Sequence, residues 1–286
     1  MKRLLRDRRG AFGATVLAAI VLCALAAPLI SAGDPNTQRD IVATRFLPPL
    51  ASDVHGAFHP LGTDRFGRDV WTRLVYGARV SLSVGLLAVL ISVAIGLTVG
   101  GVAGAAGGWL AALLLGVTDF ALGLPRVVLL LLLAALWQPG AVLVVLVLGA
   151  TGWMPVARLV HAEVRALAAR QFVEGARATG AGRSRVLWRH ILPNALTPVI
   201  VAAALGVGNA ILLEAGLSYL GLGVQPPTAS WGNMIASGRD TLVNAPWVAT
   251  APGLALVLVV VACTLLGDAL RDSLDPSAGH TTARVQ

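Results

Sequence analysis

The chain has 286 residues, 56% of them hydrophobic and 13% charged, with a mean hydropathy of +0.78 and a net charge of +8 from 22 Lys+Arg against 14 Asp+Glu. A soluble domain carries about 25% charged residues, so this composition excludes an ordinary water-soluble domain and indicates a polytopic membrane protein. The single lysine is Lys2, and a P-loop needs a lysine inside its glycine-rich loop; the chain is therefore no P-loop ATPase, and any ATP-driven work falls to a partner.

Residues 1–10 hold five basic side chains and one acidic, and Ala11–Ile30 follows as 20 residues without a charge. That is long enough to cross about 30 Å of hydrocarbon. A cleaved signal peptide would read similarly, with small residues at Ala24 and Ala26; the length favours a retained first span. Residues 32–79 are polar, nearly balanced in charge and marked by Pro35, Pro48, Pro49 and Pro60. They are expected to form an exported loop with short structured pieces. Val80–Thr118 then runs 39 residues without a charge, too long for one crossing. Gly100, Gly101, Gly104, Gly107 and Gly108 are expected to break it, which puts the second span at 80–103.

A third span is predicted as one helix over 110–137, kinked at Pro125, with Asp119 and Arg126 in its cytoplasmic half. A break at Pro139-Gly140 leads to a fourth span over 140–159. Ile191–Leu213, with 23 uncharged residues, makes a fifth, and a sixth lies within Thr241–Gly267, with 27. Cys23 and Cys263 fall in apolar spans and read as packing residues.

Between Arg158 and Leu192 stand seven arginines: Arg158, Arg165, Arg170, Arg177, Arg183, Arg185 and Arg189. Each would cost roughly 2.5–3.5 kcal/mol at a bilayer centre, about 20 for the seven. The segment must lie in water, and the positive-inside rule puts it in the cytoplasm. The basic excess is thus a topological signal, with no nucleic acid implied. Six spans starting inside place 32–79 and 214–247 outside, and 158–192 and the C-terminal tail inside. Within the basic segment, Glu163–Ala178 is rich in helix formers, Gly180 and Gly182 permit a sharp turn, and Ser184–Ile191 is expected to form a second helix ending before Pro193. The next span begins at once, so a push on this loop reaches the membrane. A plainer alternative is that Glu174 only pairs with Arg170 and Arg177, four and three residues away on a helix surface. A DNA-binding helix–turn–helix is disfavoured because two spans clamp the loop.

Three other constellations carry weaker chemistry. Asp53, His55, His59, Asp64 and Asp69 could ligate a metal, but their spacing fits no standard site. Thr63 and Asp64 read instead as caps of a short helix, with Arg68 pairing to Asp64. Gly216-Leu217-Ser218-Tyr219 hints at an intramembrane serine nucleophile, which needs a histidine base; the following span has none, and His280 lies in the tail on the other side. Asp119 and Arg126 could mark a proton path, but two isolated groups read better as a structural pair or interfacial anchors.

Segment 174–193 resembles the coupling loop of permease subunits of binding-protein-dependent ABC importers. Their pattern is Glu-Ala-Ala, three residues, Gly, nine residues, Ile, one residue, Leu-Pro. Glu174, Ala176, Gly180, Leu192 and Pro193 match it, while Gly175 stands in place of Ala and His190 in place of Ile. Leu61–Val70, Gly77–Leu82, Leu213–Ala215, Gly221–Pro227, Ser230–Gly232, Gly267-Asp268, Leu270–Asp272 and Leu274–Pro276 resemble signatures of the dipeptide/oligopeptide/nickel branch, in the second of its two permeases. The resemblance implies an all-α, type I ABC importer permease fold with about six transmembrane helices. It would divide into 1–79 (cytoplasmic tail, first helix, exported loop), a transmembrane domain at 80–275 with a coupling loop at 158–192, and a cytoplasmic tail at 276–286. It implies a non-catalytic subunit of a bacterial or archaeal inner membrane, with both termini cytoplasmic and no cofactor or metal of its own. A homologous permease, two cytoplasmic ATPases and an extracytoplasmic solute-binding protein would be its partners, and peptides or nickel its cargo. Glu174, Gly175, Ala176, Arg177, Gly180, Arg183, His190, Leu192 and Pro193 would meet the ATPase. Gln225, Pro226, Pro227 and Trp231 would lie near the outer gate and the binding protein. The competing function is a secondary transporter or channel working without ATPases.

Overall fold

The computed structural model describes residues 7–274 except Ala32 and Arg39, together with the backbone but not the side chain of Arg183. Lys2, Arg3, Arg6, Asp275, Pro276, His280 and the predicted tail 276–286 lie outside the described residues. The chain is almost wholly helical. Its elements are α1 (Arg8–Leu25), α2 (Ala27–Ile30), α3 (Ile41–Thr44), a hairpin of β1 (Ala51–Ser52) and β2 (Phe58–His59), α4 (Val70–Ala106), α5 (Gly108–Gly123), α6 (Arg126–Ala135), α7 (Ala141–Ala168), α8 (Gln171–Ala178), α9 (Arg183–Val186), a π-helical turn (Leu187–Ile191), α10 (Leu192–Tyr219), α11 (Trp231–Gly238) and α12 (Trp247–Leu274). By length and composition, five of these can cross a membrane, and six crossings result if the bent pair α5–α6 counts as one.

The second span is longer than the charge-free run suggested. Asp69 accepts a hydrogen bond from the Thr72 amide at 2.7 Å and caps α4 there, and no proline interrupts 70–79. The helix therefore starts ten residues before Val80, across the expected 79/80 boundary. Its 37 residues span about 55 Å at 1.5 Å per residue, well beyond about 30 Å of hydrocarbon. One end must project.

The glycines of α4 also play another part than the expected one. Gly96, Gly100 and Gly104 recur one turn apart and face α7. A Cβ on Gly96 would stand 2.6 Å from Val156 Cβ, and one on Gly104 2.6 Å from Val164 Cγ1; Gly100 abuts the Ala157 carbonyl. This is the small-residue spacing that lets two transmembrane helices approach closely. In return α7 presents Gly149 to Ile91 and Gly152 to Ser92. The break itself belongs to Gly107 and Gly108, at φ +65° and +59°, a region that favours glycine.

The third span is not one kinked helix. α5 and α6 meet at 86°. Pro125 lacks an amide hydrogen and pushes Leu124 into extended geometry (φ −77°, ψ 137°), so the ladder stops instead of bending. α6 has ten residues, too few to cross on its own. The predicted Glu163–Ala178 helix is likewise two pieces, the end of α7 and α8. The predicted stop before Pro193 is absent: Ser184–Tyr219 is a continuous 36-residue helical segment. Pro193 sits in the first turn of α10, where a missing N–H is tolerated, and the Leu192 amide reaches back to Leu187 in the π register.

α1 packs against α12, with Gly13 set against Ala262 and Leu265. Cys263 is buried there, whereas Cys23 is exposed on α1. One apolar cluster joins α4, α6, α7 and α10 through Val84, Leu130, Val144, Leu148 and Ala210. Another joins α1, α4, α10, α11 and α12 through Ala78, Ile211, Trp231, Val259 and Cys263.

The glycine seam gives a direct test. Gly100→Leu should cost at least about 1–3 kcal/mol through overpacking against α7, read as a lower unfolding temperature in detergent. Gly116→Leu, where a Cβ meets nothing within 4 Å, should be nearly neutral.

Candidate functional site

The basic loop is a compact plug. In α8 Val173 is buried, and with Val186, Leu187, Ile191 and Leu192 it packs onto Val160, Val164 and Val199 of α7 and α10. α8 ends in a Schellman turn: Gly180 donates to Arg177 O at 3.0 Å and Ala181 to Ala176 O at 3.1 Å. Gly180 supplies the left-handed residue that this turn needs, at φ +83°. Gly182 has no such role; its carbonyl accepts from Val186 at the start of α9.

The predicted contact residues divide by exposure. Glu174, Gly175, Arg177, Gly180 and Pro193 are exposed, Ala176 and His190 half-buried, and Leu192 buried. Leu192 therefore holds the plug onto its helices. The Glu174 carboxylate makes no ion pair with a described side chain; neither Arg170 nor Arg177 reaches it. A Cβ on Gly175 would meet nothing within 4 Å. Two exposed aromatics of the plug, Phe172 at 45% and Trp188 at 63% exposure, are not among the predicted contacts. The available signal was their presence as bulky aromatics in a segment that must lie in water.

At the opposite end of α10 the structure concentrates buried polarity. Glu214 is fully buried, 0% exposed. Its Oε2 accepts from Ser81 Oγ of α4 at 3.2 Å, and its Oε1 from Ser218 Oγ at 2.7 Å. Each serine in turn accepts from a backbone amide of the following loop: Ser81 from Trp231 at 3.1 Å, Ser218 from Val224 at 3.0 Å. Ser218 is thus a structural relay. The loop closes with a reciprocal capping box between Ser230 and Asn233. Trp231 is 1% exposed and donates its indole N–H to Leu74 O at 3.0 Å. It is an internal anchor of this loop. Pro226 and Pro227 are exposed and Gln225 half-buried.

The 40–69 loop locks onto the same end. Asp64 accepts from the Phe66 and Arg68 amides and from Arg68 Nε at 2.7 Å. It caps a turn, where a helix cap was expected, and the helix cap is Asp69. Thr63 instead bonds the Thr44 carbonyl and the Leu47 amide. His59 stands between Asp69 at 2.9 Å and Asp53 at 3.6 Å, while His55 lies in the hairpin turn. Burial acts to raise the Asp53 carboxyl, but the Ala57 and His55 amides and the His59 charge hold it below its ordinary value. Arg73 of α4 donates to Pro35 O at 3.0 Å and Pro227 O at 3.5 Å, tying both loops together.

Asp119 and Arg126 do not pair. Asp119 binds Arg158 at 2.9 Å, linking α5 to α7. Arg126 points its guanidinium between α4, α7 and α10, and its buried Nε finds no hydrogen-bond partner among the described residues.

Residues 96–280 match the family described as binding-protein-dependent transport system inner membrane component, and residues 1–49 match the N-terminal TM domain of oligopeptide transport permease C. A di/tripeptide transport system permease protein of Pseudomonas aeruginosa is 41% identical over 270 residues, covering 94% of this chain and 88% of its own. A Brucella abortus protein provisionally named a peptide transport system permease is 40% identical over 278 residues, 96% of this chain and 90% of its own. Among solved structures, an inward-facing MetNI methionine ABC transporter chain superposes with a TM-score of 0.55 at 20% identity, covering 71% of this chain and 96% of that chain. That likeness is one of fold.

The Glu214 network yields a second test. Glu214→Leu should orphan two buried hydroxyls at about 1–3 kcal/mol each, lowering the unfolding temperature and raising hydrogen exchange at the Val224 and Trp231 amides. Glu214→Gln, which keeps an acceptor, should lose less.

Proposed function

Since this chain belongs to the family of binding-protein-dependent transport system inner membrane components, and is thus a multi-pass permease of a transport system, we propose that its cargo is peptide and that its basic loop is the site where a motor grips. The peptide assignment follows from what the 40–41% identical relatives are named for, across almost the whole chain. The motor is a pair of cytoplasmic ATPases; the chain has no P-loop of its own, so ATP hydrolysis falls to such partners. A homologous permease supplies the other half of the pathway, and an extracytoplasmic solute-binding protein delivers the peptide. The basic loop and both termini face the cytoplasm, as the arginine distribution favours.

One observation carries the coupling assignment: α8 offers an exposed Glu174, paired with no described side chain, on a helix that Val173 bolts to α7 and α10. A carboxylate left free on a rigid, otherwise basic surface can serve a partner's cation. Phe172 and Arg177 are exposed on the same helix and Trp188 and Arg189 on the π turn, adding apolar area and positive charge to the plug, and Arg183 and His190 stand on the same loop. The π turn runs into α10 without a break, so movement of the plug moves α10. Gln225, Pro226 and Pro227, at the far end, form the surface nearest the delivered substrate, with Trp231 beneath them as support.

Glu174→Arg and Gly180→Val should each abolish ATPase co-purification and peptide uptake while leaving the permease in the membrane; uptake at the wild-type rate in both would refute the coupling role. Gly175→Ala should keep uptake and stabilise α8 by up to about 1 kcal/mol, read as slower amide exchange across 171–178. Uptake by vesicles lacking the ATPases would instead establish a secondary transporter or channel.

A further inference from the structure

Arg126 is the first residue of α6, set immediately after the break at Leu124-Pro125. Its Nη2 lies 3.6 Å from where a Cβ of Gly152 would be, so the guanidinium rests over that glycine of α7. Gly152 comes 11 residues after Ala141, the first residue of α7. At 1.5 Å per residue the guanidinium is about 17 Å along the helix from that end, within the fourth span expected over 140–159. Arg158, which must lie in water, comes six residues later on α7, about 9 Å further along the helix.

Ionisable groups at such depth are costly and face a bundle interior or a water-filled cavity. Arg126 faces a cavity of about 300 Å³ between α4, α6, α7 and α10. Its walls are apolar, with Val89, Leu148, Val156 and Ala203, and Ser92 and Asn209 add neutral hydrogen-bonding groups. The nearest candidate counter-ion in sequence, Asp119, is held by Arg158. Among the described residues no carboxylate pairs with Arg126. A guanidinium presents a rigid fork of donors suited to two carboxylate oxygens. Gly152 keeps this wall flat, since a Cβ there would clash with Ser92 and lie in contact with Arg126.

We propose that Arg126 is a carboxylate-binding residue of the translocation pathway, receiving the carboxylate of the peptide in transit. This rests on the peptide-importer reading above. The apolar walls accommodate varied side chains, while the one fixed cation engages the group that every free peptide carries. Specificity for side chains is then left to other parts of the system.

The test uses the whole complex, with both permeases, the ATPases and the binding protein, in proteoliposomes fed a dipeptide. Arg126→Gln should lower the maximal uptake rate about tenfold, the effect of losing one charge-assisted hydrogen-bonded contact. Complex assembly, basal ATPase rate and affinity for loaded binding protein should stay unchanged. Arg126→Lys should recover part of the rate. An Arg126→Cys chain with Cys23 and Cys263 replaced should regain uptake on attachment of an aminoethyl group through a disulfide, and not on attachment of a sulfonatoethyl group. Full uptake by Arg126→Gln overturns the proposal, as does a parallel fall in assembly or basal ATPase rate, or equal behaviour of the two thiol adducts. An effect confined to vesicles containing phosphatidylglycerol, absent in pure phosphatidylcholine, assigns the guanidinium to lipid phosphate and overturns it too. A wild-type complex that carries no peptide overturns the peptide reading itself, a different result from any of these.

Discussion

The bond between the Glu214 carboxylate and two serines sets the geometry of one whole end of the molecule. A fully buried carboxylate must be hydrogen-bonded or it destabilises the fold. Glu214 meets that demand by drawing Ser81 of α4 and Ser218 of α10 onto its two oxygens. Both hydroxyls then have lone pairs directed at the loop after α10, where the Val224 and Trp231 amides fill them. The loop must therefore lie flat on the helix ends, which leaves no room for side chains at its contact points. A Cβ on Gly232 would come within 2.6 Å of Ala215 Cα, and one on Gly223 within 2.5 Å of the Ser218 backbone. Glu214, Ser81, Ser218, Gly223, Trp231 and Gly232 are scattered in sequence yet belong to one hydrogen-bonded unit.

α10 carries that constraint across the membrane. The 36 residues from Ser184 to Tyr219 extend about 54 Å, with the plug's Val186, Leu187 and Ile191 at one end and Glu214 at the other. α4 runs beside it with Ser81 near one end and the Gly96-Gly100-Gly104 seam toward the other, where α7 is locked close. α7 itself emerges as the first arm of the plug. A partner pressing on α8 would act on α7 through Val173 and on α10 through the π turn. Those two helices also wall the cavity at mid-depth. Loop, cavity and cap thus share helices and cannot be repacked independently.

The sequence made the spans and the loop motif legible because apolar length and arginine cost are strong, local signals. What it hid was tertiary. Residues 70–79 look like loop because they carry Arg73 and Arg79, yet an Asp69 cap and the projection of α4 beyond the hydrocarbon make them helical. Glycines at 96, 100 and 104 look like a break, because a glycine needed for close approach and one needed for positive φ are the same letter; only the facing α7 distinguishes them. Pro125 was visible as a kink, but whether a proline bends or breaks a helix depends on whether neighbours replace the lost bond. Asp119 and Arg126 are seven residues apart and invited pairing, whereas the 86° turn between them sends one to Arg158 and the other into the cavity. In the loop, the exposure of Phe172 and Trp188 depends on which side of α8 and the π turn the valines bury.

Two ionisable groups of this bundle, Glu214 and Arg126, show how satisfaction separates structure from use. Glu214 is fully buried and has hydroxyl partners on both oxygens, so its bonding is taken up by the fold. Removing it should loosen a loop. Arg126 is only partly buried, but among the described residues its Nε makes no bond and its guanidinium opens onto a cavity of about 300 Å³. A buried donor left unmade is a standing destabilisation, which a fold of this size could relieve with one nearby carboxylate. Asp119 could have been that group and is bound to Arg158 instead. An anion entering the cavity supplies the missing partner, so under this proposal Arg126 favours the loaded pathway over the empty one, and that difference between states is what a transport step needs.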